Sequence, residues 1–416
     1  MNKHPDYMGA EAAARHLGVK RETLYAYASR GLVRSVPGPR GRARRYLRAD
    51  LEALRARRDA RTGHTAAAAS ALRFGPPVLE SSVSWLTDDG PIYRGMAAIE
   101  LAESDTPFES VAELLWAGVL PPDPPTWETC GLGIPIERVE DLLPAGTPPL
   151  AALSLVAPAL AAHEPGRFAT EPEGGLSHAR RLVRRLAASL GFALEHARVE
   201  RALRARSVAH AVATALGARR GRDGVRAINR ALVLLAEHEL NASAFSARVV
   251  ASTGADVHAC VSAALAALSG PRHGGATEAV EALVAETSKP EAAPRVVAAR
   301  ARRGEAFPGF GHAIYRRGDP RAAPLLAVAR ELAPRSRRLD TLLALIDAMA
   351  EAGRPAPNCD VALVALVYAL GLPTGSGAGL FAVGRSAGWI AHIFEQYAAG
   401  YLVRPRARLP ETGLAG

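Results

Sequence analysis

The apolar positions of the chain recur at helical spacing over most of its length. Leu182, Leu186 and Leu190 follow one another at intervals of four, and Leu342 and Ile346 repeat that spacing farther along. Such positions share one face of an α-helix, whereas strand-like alternation is rare in this chain. No repeat with a period of 20–50 residues is present. Glycine and proline separate the helical segments, so we predict an all-α fold that holds its unusual polar residues in loops.

Two uncharged stretches, residues 142–162 and 361–384, are long enough to be considered as membrane spans. Prolines or a series of glycines interrupt both, so neither predicts a continuous apolar helix of about 20 residues. The first ten residues, MNKHPDYMGA, do not resemble a signal peptide. Cys130, Cys260 and Cys359 form no CxxC pair, which argues against a disulfide scaffold and a thiolate zinc site. We therefore expect a cytoplasmic protein without a membrane segment.

The positive charge of the chain is concentrated at its N-terminus. The formal net charge is +10, from 51 Lys and Arg against 41 Asp and Glu. Residues 1–60 alone hold 14 basic and six acidic residues, a net charge of +8, which leaves +2 for the rest. A polyanionic partner is therefore indicated only for the N-terminal segment.

This basic segment has the pattern of a helix-turn-helix followed by a wing. Ala12, Ala13 and Leu17 share one face of a first helix, Gly18 interrupts the pattern, and VKRETLYAYASRG forms a second helix. The segment RSVPGPRGRARRYL predicts two short strands around a turn, and ADLEALRARRD begins a third helix. Residues 7–58 resemble the winged helix-turn-helix of the MerR and excisionase type. The alternative is a basic helical cap that packs on the rest of the protein.

The charge and the pattern together predict the domain organisation. We expect a winged helix-turn-helix domain over 1–60, a linker over 61–75 and a second, helical region over 76–416. If the first domain binds DNA, as a dimer, the second helix and the wing supply the contacts. The residues expected at this interface are Lys20, Arg21, Thr23, Tyr27, Arg42 and Arg44.

Four loop motifs hold most of the residues that could perform chemistry. They are LLAEHELNASAFSARVVAST, SGPRHGGATEAV, FPGFGHAIYRRGDPRA and PNCDVALVALVYALGLP, the last followed by LFAVGRSAGWIAHIFEQ and VRPRARL. In chain order, the residues of interest are His238, His273, His312, Arg321, Asp360, Arg385 and Arg404.

These residue types suit proton abstraction next to a carbonyl group. His273 and His312 follow glycine loops and precede residues that could begin a helix, where the helix N-terminus would keep an imidazole neutral. A neutral imidazole can donate a hydrogen bond to a carbonyl oxygen. Asp360 precedes an apolar run that would raise the pKa of its carboxyl group toward that of a useful base. The arginines offer paired donors to the carboxylates of an anionic substrate.

Simpler interpretations exist for each motif alone. A histidine in a glycine loop is often structural, and the apolar run from Val361 predicts a buried core helix. The histidines lack the spacing of a zinc site, and the HxxE formed by His392 and Glu395 is weak evidence for one. The GSGAG run at Gly375 has no Walker lysine, so we interpret it as a tight packing turn.

Together the motifs resemble those of citrate synthase. The resemblance runs from about residue 79 to residue 408 and includes LTDDGPIYRG and LLWAGVLP before the four motifs. It implies an all-α fold with a large domain and a small domain, the small one over roughly 276–370. It also implies a homodimer, and helix-turn-helix-bearing relatives of the family exist in bacteria.

The resemblance also implies a role for each residue of interest. His273 would hold the thioester carbonyl of acetyl-CoA, Asp360 would remove the methyl proton, and His312 would polarise the ketone of oxaloacetate. No metal or cofactor is implied, because acetyl-CoA is a substrate. The oxaloacetate carboxylates would be bound by His238, Arg321, Arg385 and Arg404, the last reaching in from the other subunit. CoA would be bound by Arg316, Gly309 and Gly311.

Departures from the family pattern leave the substrate open. Leu235, Ala236 and Glu237 stand where many members have His-x-Asp, Arg272 stands where leucine is common, and Ala313 replaces a frequent arginine. The first expectation is an acyltransferase of the tricarboxylic acid cycle that makes citrate and CoA from acetyl-CoA and oxaloacetate. The alternatives are a 2-methylcitrate synthase that uses propionyl-CoA, and a DNA-binding regulator that senses CoA or oxaloacetate.

Overall fold

The computed structural model describes residues 7–30, 32–37, 44–48, 50–52, 54, 79–144, 146–168, 172–332 and 336–405. These residues fall into two compact units, an N-terminal one that extends to Glu80 and a larger one over Ser81–Pro405. The predicted boundaries at residues 60 and 75, and the predicted small domain over 276–370, stay predictions.

The N-terminal unit combines two helices with a three-stranded antiparallel sheet. Its elements are β1 (Tyr7–Gly9), α1 (Ala10–Leu17), α2 (Arg21–Ser29), β2 (Ser35–Pro37) and β3 (Arg44–Leu47), with strand order β1-β3-β2. Gly18 ends α1 in the left-handed conformation, at φ 60°. Leu17, Leu24 and Tyr46 are among the residues that form the core of the unit. The predicted helix-turn-helix and wing are confirmed, and β1 is an additional strand that the sequence analysis did not predict.

Where the structure describes the larger unit, the regular elements are helices and one small antiparallel sheet. That sheet consists of β4 (Ser84–Thr87), β5 (Gly90–Tyr93) and β6 (Met96–Ala97), in the order β4-β5-β6. Short 3-10 helices lie at Leu190–Ala193 and Pro290–Ala292. The α-helices are, in chain order, α3 (Ala98–Glu103), α4 (Phe108–Ala117), α5 (Ile136–Leu142), α6 (Pro149–Ala162), α7 (Pro172–Ser189), α8 (His196–Leu203), α9 (Val208–Leu216), α10 (Gly221–Leu235), α11 (Ala242–Ala251), α12 (Val257–Leu268), α13 (Ala276–Thr287), α14 (Ala293–Arg303), α15 (Ala322–Leu332), α16 (Arg337–Glu351), α17 (Cys359–Leu370) and α18 (Ser376–Ala399).

Helix α18 lies at the centre of the larger unit. It packs against α4, α6, α10, α11 and α12, and its residues from Ser376 to Ile393 are buried. Glycines permit this close packing: a Cβ on Gly379 would lie 2.8 Å from Leu190 Cδ2 and 2.9 Å from Pro149 Cβ. The GSGAG run is therefore a packing turn that begins a buried helix, as predicted.

Helix α17 is a second buried helix, and it packs against α13 and α15. This confirms that the apolar run from Val361 forms a core helix. No helix in the described part of the chain is both long enough and apolar enough to cross a membrane.

Candidate active site

Asp360 lies in the first turn of α17, where a side-chain cap fixes the backbone. The Asn358 side-chain oxygen accepts the Asp360 N–H at 2.9 Å. Burial raises the pKa of Asp360 to about 6; Arg321 and Arg385 oppose this shift and Asp319 adds to it. No described side chain hydrogen-bonds to the Asp360 carboxylate. The direction of the pKa shift is the one that the apolar run predicts, and the carboxylate is available as a base.

The glycine loop before His312 is joined to the start of α17. Asn358 N–H donates to Gly309 O at 2.9 Å, and the Asn358 side-chain amide donates to Gly311 O at 3.2 Å. Gly309 has φ 78°, and a Cβ there would lie 2.5 Å from Val361 Cγ2. A larger residue would therefore push the loop away from α17. This contact brings His312 and α17 to one place.

The ring of His312 is held as a single neutral tautomer. Its Nδ1 accepts the backbone N–H of Ile314 at 3.1 Å and of Tyr315 at 3.3 Å, so the ring proton belongs on Nε2. Burial lowers the pKa of His312. No helix begins in this loop before α15, so the expected contribution of a helix N-terminus does not apply to His312. Nε2 can therefore donate to a substrate oxygen.

His238 packs directly against His312. The two ring centroids are 5.4 Å apart at an angle of 74°, and His238 Nε2 lies 3.1 Å from the Tyr315 hydroxyl. Burial lowers the pKa of His238 well below its usual value, and the charges of Arg321 and Arg385 lower it further. The site therefore holds two neighbouring neutral imidazoles.

His273 is positioned by side chains from two other elements. Its Nε2 lies 2.8 Å from Ser243 Oγ, which also accepts the Trp389 ring N–H at 3.0 Å. The ring packs edge-to-face on Phe381, at 5.9 Å. Burial lowers the pKa of His273 to about 4, and the charge of Arg385 contributes. The Ser243 hydroxyl donates to Asn241 Oδ1 at 2.7 Å, so in this structure it accepts from His273 Nε2; if the hydroxyl turned to donate to Nε2, the ring proton would lie on Nδ1 and could point outward.

Arg321 is buried in a two-pronged ion pair with Asp319. Its Nε and Nη2 donate to the two Asp319 oxygens at 2.9 Å and 2.7 Å, and Asp319 also accepts the Cys359 N–H at 3.1 Å. Burial alone would raise the pKa of Asp319, but the charge and hydrogen bonds of Arg321 lower it to about 2. Through Asp319, the ion pair therefore links the loop after His312 to Cys359, the first residue of α17. The Nη1 group of Arg321 has no described hydrogen-bond partner.

Arg385, on α18, is a buried cation beside several groups of the site. It is buried, its Nε donates to Leu235 O at 2.7 Å, and its guanidinium lies 4.7 Å from the Phe381 ring centre. Neither of its Nη groups hydrogen-bonds to a described residue. Because its charge shifts the pKa values of His238, His273 and Asp360, residues from three motifs surround this guanidinium.

Glu237 is buried behind the site and pairs with His392. Its Oε1 lies 3.2 Å from His392 Nε2 and accepts the Ser84 hydroxyl at 3.2 Å. A Cβ on Gly388 would lie 1.9 Å from Glu237 Oε2, so the site of this carboxylate exists only because residue 388 is glycine. In the sequence, Glu237 departs from the family pattern and His392 belongs to a weak HxxE pattern. Across the described residues, no group of three potential ligands could hold a metal ion.

Two of the predicted substrate-binding residues do not join this cluster. Arg404 is exposed beyond the end of α18, and Arg316 is exposed in the loop after His312; neither contacts another site residue among those described. Their predicted roles toward oxaloacetate and CoA stay predictions, as do those of Gly309 and Gly311.

The predicted nucleic-acid residues lie in the N-terminal unit. Lys20 and Arg21 are exposed at the start of α2, and Arg44 is exposed on β3, where it donates to Ser35 Oγ at 3.2 Å. Thr23 and Tyr27 are half-buried. Tyr27 packs partly against the core of the unit. Arg42 lies outside the described residues.

Three residues of the site were not assigned a role from sequence. Tyr315 contacts His238 and His312, and Ser243 with Trp389 holds His273. All three occur within the four motifs, but their contacts join segments as much as 146 residues apart in the chain. These contacts can be identified only from the folded structure.

Comparison with protein families agrees with this arrangement. Residues 74–406 match the family model "Citrate synthase, C-terminal domain", and residues 7–59 match a helix-turn-helix domain model. Citrate synthase 2 of Bacillus subtilis is 39% identical over 186 residues, which are 44% of this chain and 50% of that protein. This match therefore spans about half the length of the relative.

Further matches include a relative and a solved structure that each cover most of the chain. Citrate synthase of Haloferax volcanii is 31% identical over 360 residues, 80% of this chain and 93% of that protein. Some relatives of similar identity are 2-methylcitrate synthases, including one from Corynebacterium glutamicum, 37% identical over 187 residues. Citrate synthase of Thermoplasma acidophilum, solved with carboxymethyl coenzyme A and oxaloacetate, is 25% identical with a TM-score of 0.72 over 82% of this chain and 95% of that one. The chain belongs to the citrate synthase family and carries a helix-turn-helix domain at its N-terminus.

Proposed function

We propose that the chain condenses acetyl-CoA with oxaloacetate and hydrolyses the product to citrate and CoA. The observation that carries this proposal is the combination of a carboxylate of raised pKa, Asp360, with neutral imidazoles around one buried guanidinium. Removal of a proton next to a thioester carbonyl needs a base and a hydrogen-bond donor to the enolate oxygen, and the two groups must coexist at one pH. With pKa values of about 6 for Asp360 and about 4 for His273, both are in the required state near pH 7.

The first step would form the nucleophile. Asp360 takes a proton from the methyl group of acetyl-CoA, and His273 donates from Nδ1 to the thioester oxygen. In this structure the Ser243 hydroxyl donates to Asn241 Oδ1 at 2.7 Å; turned toward His273 Nε2, 2.8 Å away, it would place the ring proton of His273 on Nδ1. A fixed neutral donor stabilises the developing oxyanion without giving up its proton.

The second step would form the carbon–carbon bond. His312 donates from Nε2 to the ketone oxygen of oxaloacetate and gives up that proton as the alkoxide forms. The free Nη groups of Arg385 and Arg321 bind the carboxylates of oxaloacetate, with His238 beside them. Water then hydrolyses the citryl thioester in the same site.

We also propose a homodimer in which Arg404 completes the site of the other subunit. In the single chain Arg404 is exposed and contacts no site residue among those described, which fits a residue that acts on a neighbouring subunit. Arg316, Gly309 and Gly311 would bind CoA on the side of the site formed by the loop before His312.

Release of free thiol tests the proposed reaction. We expect the full-length protein to release CoA from acetyl-CoA only when oxaloacetate is present, and more slowly from propionyl-CoA. One methylene changes the transition-state free energy by about 1–3 kcal/mol, so the ratio of kcat/KM values for the two thioesters shows which of them the site prefers. A preference for propionyl-CoA would make the protein a 2-methylcitrate synthase. No thiol release from either thioester would contradict the enzymatic proposal and favour a regulator that senses these ligands.

For the N-terminal domain we propose DNA binding, supported by the exposed Lys20 and Arg21 at the start of α2 and by the wing. Arg21→Ala should weaken binding to a random-sequence duplex and lower the slope of log affinity against log salt by about 0.9, because one phosphate contact is lost. Arg15→Ala is the matched control, since Arg15 is exposed on α1 and pairs with Glu11. Equal effects of the two substitutions, or no binding by the wild type, would refute the assignment.

A further inference from the structure

A pocket lined by basic side chains lies in the larger unit, where α8, α9 and the start of α10 meet. Its volume is about 790 Å³, and its lining includes Arg198, Arg201, Arg206, His210, Thr214 and Arg222. A volume of this size falls within the range of pockets that hold small organic ligands. None of the lining residues belongs to the candidate active site.

The chain segment around the pocket is strongly basic. Residues 195–222 hold seven arginines and two glutamates, a net charge of +5, while residues 61–416 as a whole have a net charge of only +2. The rest of that region is therefore slightly acidic. A concave surface with this charge raises the local concentration of anions.

Two of the pocket arginines are paired and two are not. Arg198 and Arg201 share the Glu195 carboxylate, at 3.3 Å and 2.9 Å. No described carboxylate pairs with Arg206 or Arg222, and both are exposed. Like charges on one concave surface repel each other, and a bound anion would relieve that repulsion.

The backbone adds to the positive potential of the pocket. Helix α10 is 15 residues long, begins at Gly221 and has no side-chain cap at its N-terminus. The preceding residue, Arg220, has φ 82°, which turns the chain sharply into the helix. Free N–H groups at a helix start favour phosphate and similar anions. Arginine and backbone donors thus meet at one end of the pocket.

The pocket lies at the start of α10, whose other end leads into Glu237 and His238, and near the last residue of α17, whose first turn holds Asp360. Helix α10 extends about 22 Å, at about 1.5 Å per residue, to Leu235, which precedes Glu237 and His238. The N–H of Arg219 donates at 3.0 Å to the carbonyl of Leu370, the last residue of α17. A ligand here would therefore not overlap oxaloacetate or the thioester.

From these features we infer that the pocket binds a small organic phosphate with at least two negative charges. The guanidinium groups match phosphate oxygens with paired donors, and Ala213, Ala218 and Val225 offer an apolar surface for the organic part. The concave shape favours a metabolite over a nucleic-acid strand. This inference does not depend on the proposed reaction.

Calorimetric titration of the full chain with inorganic pyrophosphate and with ATP tests the inference. We expect pyrophosphate to bind at one site per chain, and R206A/R222A to lower its affinity at least tenfold. The matched control is R204A/R220A, which removes the same charge from exposed arginines of the same segment that do not line the pocket. The control should change the affinity less than twofold. Tighter binding of ATP than of pyrophosphate, lost in R206A/R222A, would show that the apolar surface holds the organic part.

Three results would overturn the inference. The first is an affinity for pyrophosphate that is unchanged in R206A/R222A. The second is an equal loss of that affinity in R206A/R222A and R204A/R220A, which would mean that net charge alone attracts the anion. The third is a loss of duplex DNA binding in R206A/R222A with pyrophosphate binding unchanged, which would make this surface a nucleic-acid interface. Equal thermal midpoints of the three proteins would show that the exposed substitutions leave the fold intact.

Discussion

Asp360→Asn is expected to abolish nearly all thiol release and at the same time to make the folded protein more stable at neutral pH. The amide cannot take a proton from the thioester, and loss of a general base lowers rates by about 10²–10⁴-fold. Asparagine has nearly the same shape as aspartate, so the Asn358 cap at the start of α17 is kept. The expected loss of activity therefore reflects the missing base, because the rest of the site keeps its structure.

The gain in stability follows from the raised pKa of Asp360. Burial raises this pKa from 3.8 to about 6, so above pH 6 the folded protein holds a carboxylate that is less stable there than in the unfolded chain. The cost is about 3 kcal/mol at pH 7.5 and disappears below about pH 4, where the group becomes protonated in both states. Urea unfolding at pH 7.5 should therefore show a more stable variant, and the difference from wild type should vanish near pH 4.

Asp340→Asn is the matched control, because Asp340 occupies the first turn of α16 and is exposed. It should leave the rate of thiol release unchanged. The wild-type rate should rise as pH increases through about 6, since Asp360, the proposed base, can take a proton only when it is deprotonated. An Asp360→Asn variant that keeps more than a tenth of the activity would show that another group removes the proton. A variant less stable than wild type at pH 7.5 would show that the Asp360 carboxylate is well solvated.

The helical architecture was predictable because apolar spacing reports the buried face of each helix. The patterns around Leu186 and Ile346 lie within α7 and α16, and the apolar run from Val361 is α17. Strands of two to four residues carry too few positions to show a two-residue period, so β1 and the sheet β4-β5-β6 were not predicted. Short strands depend on their partners, which sequence alone does not identify.

The chemistry of the site was predictable in part. Its reactive groups stand out by type in glycine loops, but their protonation and pairing depend on contacts distant in sequence. The neutral state of His312 comes from burial, and its tautomer from two backbone N–H groups, where the sequence suggested a helix N-terminus. The pairing of Glu237 with His392 joins residues 155 positions apart, so it needs the fold.

Arg321→Ala should destabilise the protein by about 3–5 kcal/mol, the usual cost of removing one partner from a buried ion pair. Its counterion, Asp319, is almost fully buried, and without Arg321 its charge has no guanidinium to balance it. Asp319 also accepts the Cys359 N–H, so the start of α17 should shift and thiol release should fall as well. Arg226→Ala is the control: Arg226 pairs with Asp105 at an exposed position, where ion pairs contribute little.

The pH dependence of unfolding and a second substitution show whether Arg321→Ala destabilises the protein by leaving a buried charge or by removing packing contacts. In the wild type, Arg321 holds the pKa of Asp319 at about 2, below the ordinary 3.8, so the pair stabilises the fold above about pH 4 and loses that contribution as pH falls toward 2. In the Arg321→Ala variant, burial alone should raise the pKa of Asp319, so the variant should regain stability relative to wild type as the solution is acidified.

Adding Asp319→Asn to Arg321→Ala removes the uncompensated charge, while the amide oxygen of the new side chain can still accept the Cys359 N–H. The double variant should therefore recover stability in urea unfolding at pH 7 but not the affinity for oxaloacetate, because Nη1 of Arg321 is still missing. If the double variant were no more stable than Arg321→Ala at pH 7, lost packing would explain the effect and the ion pair would not.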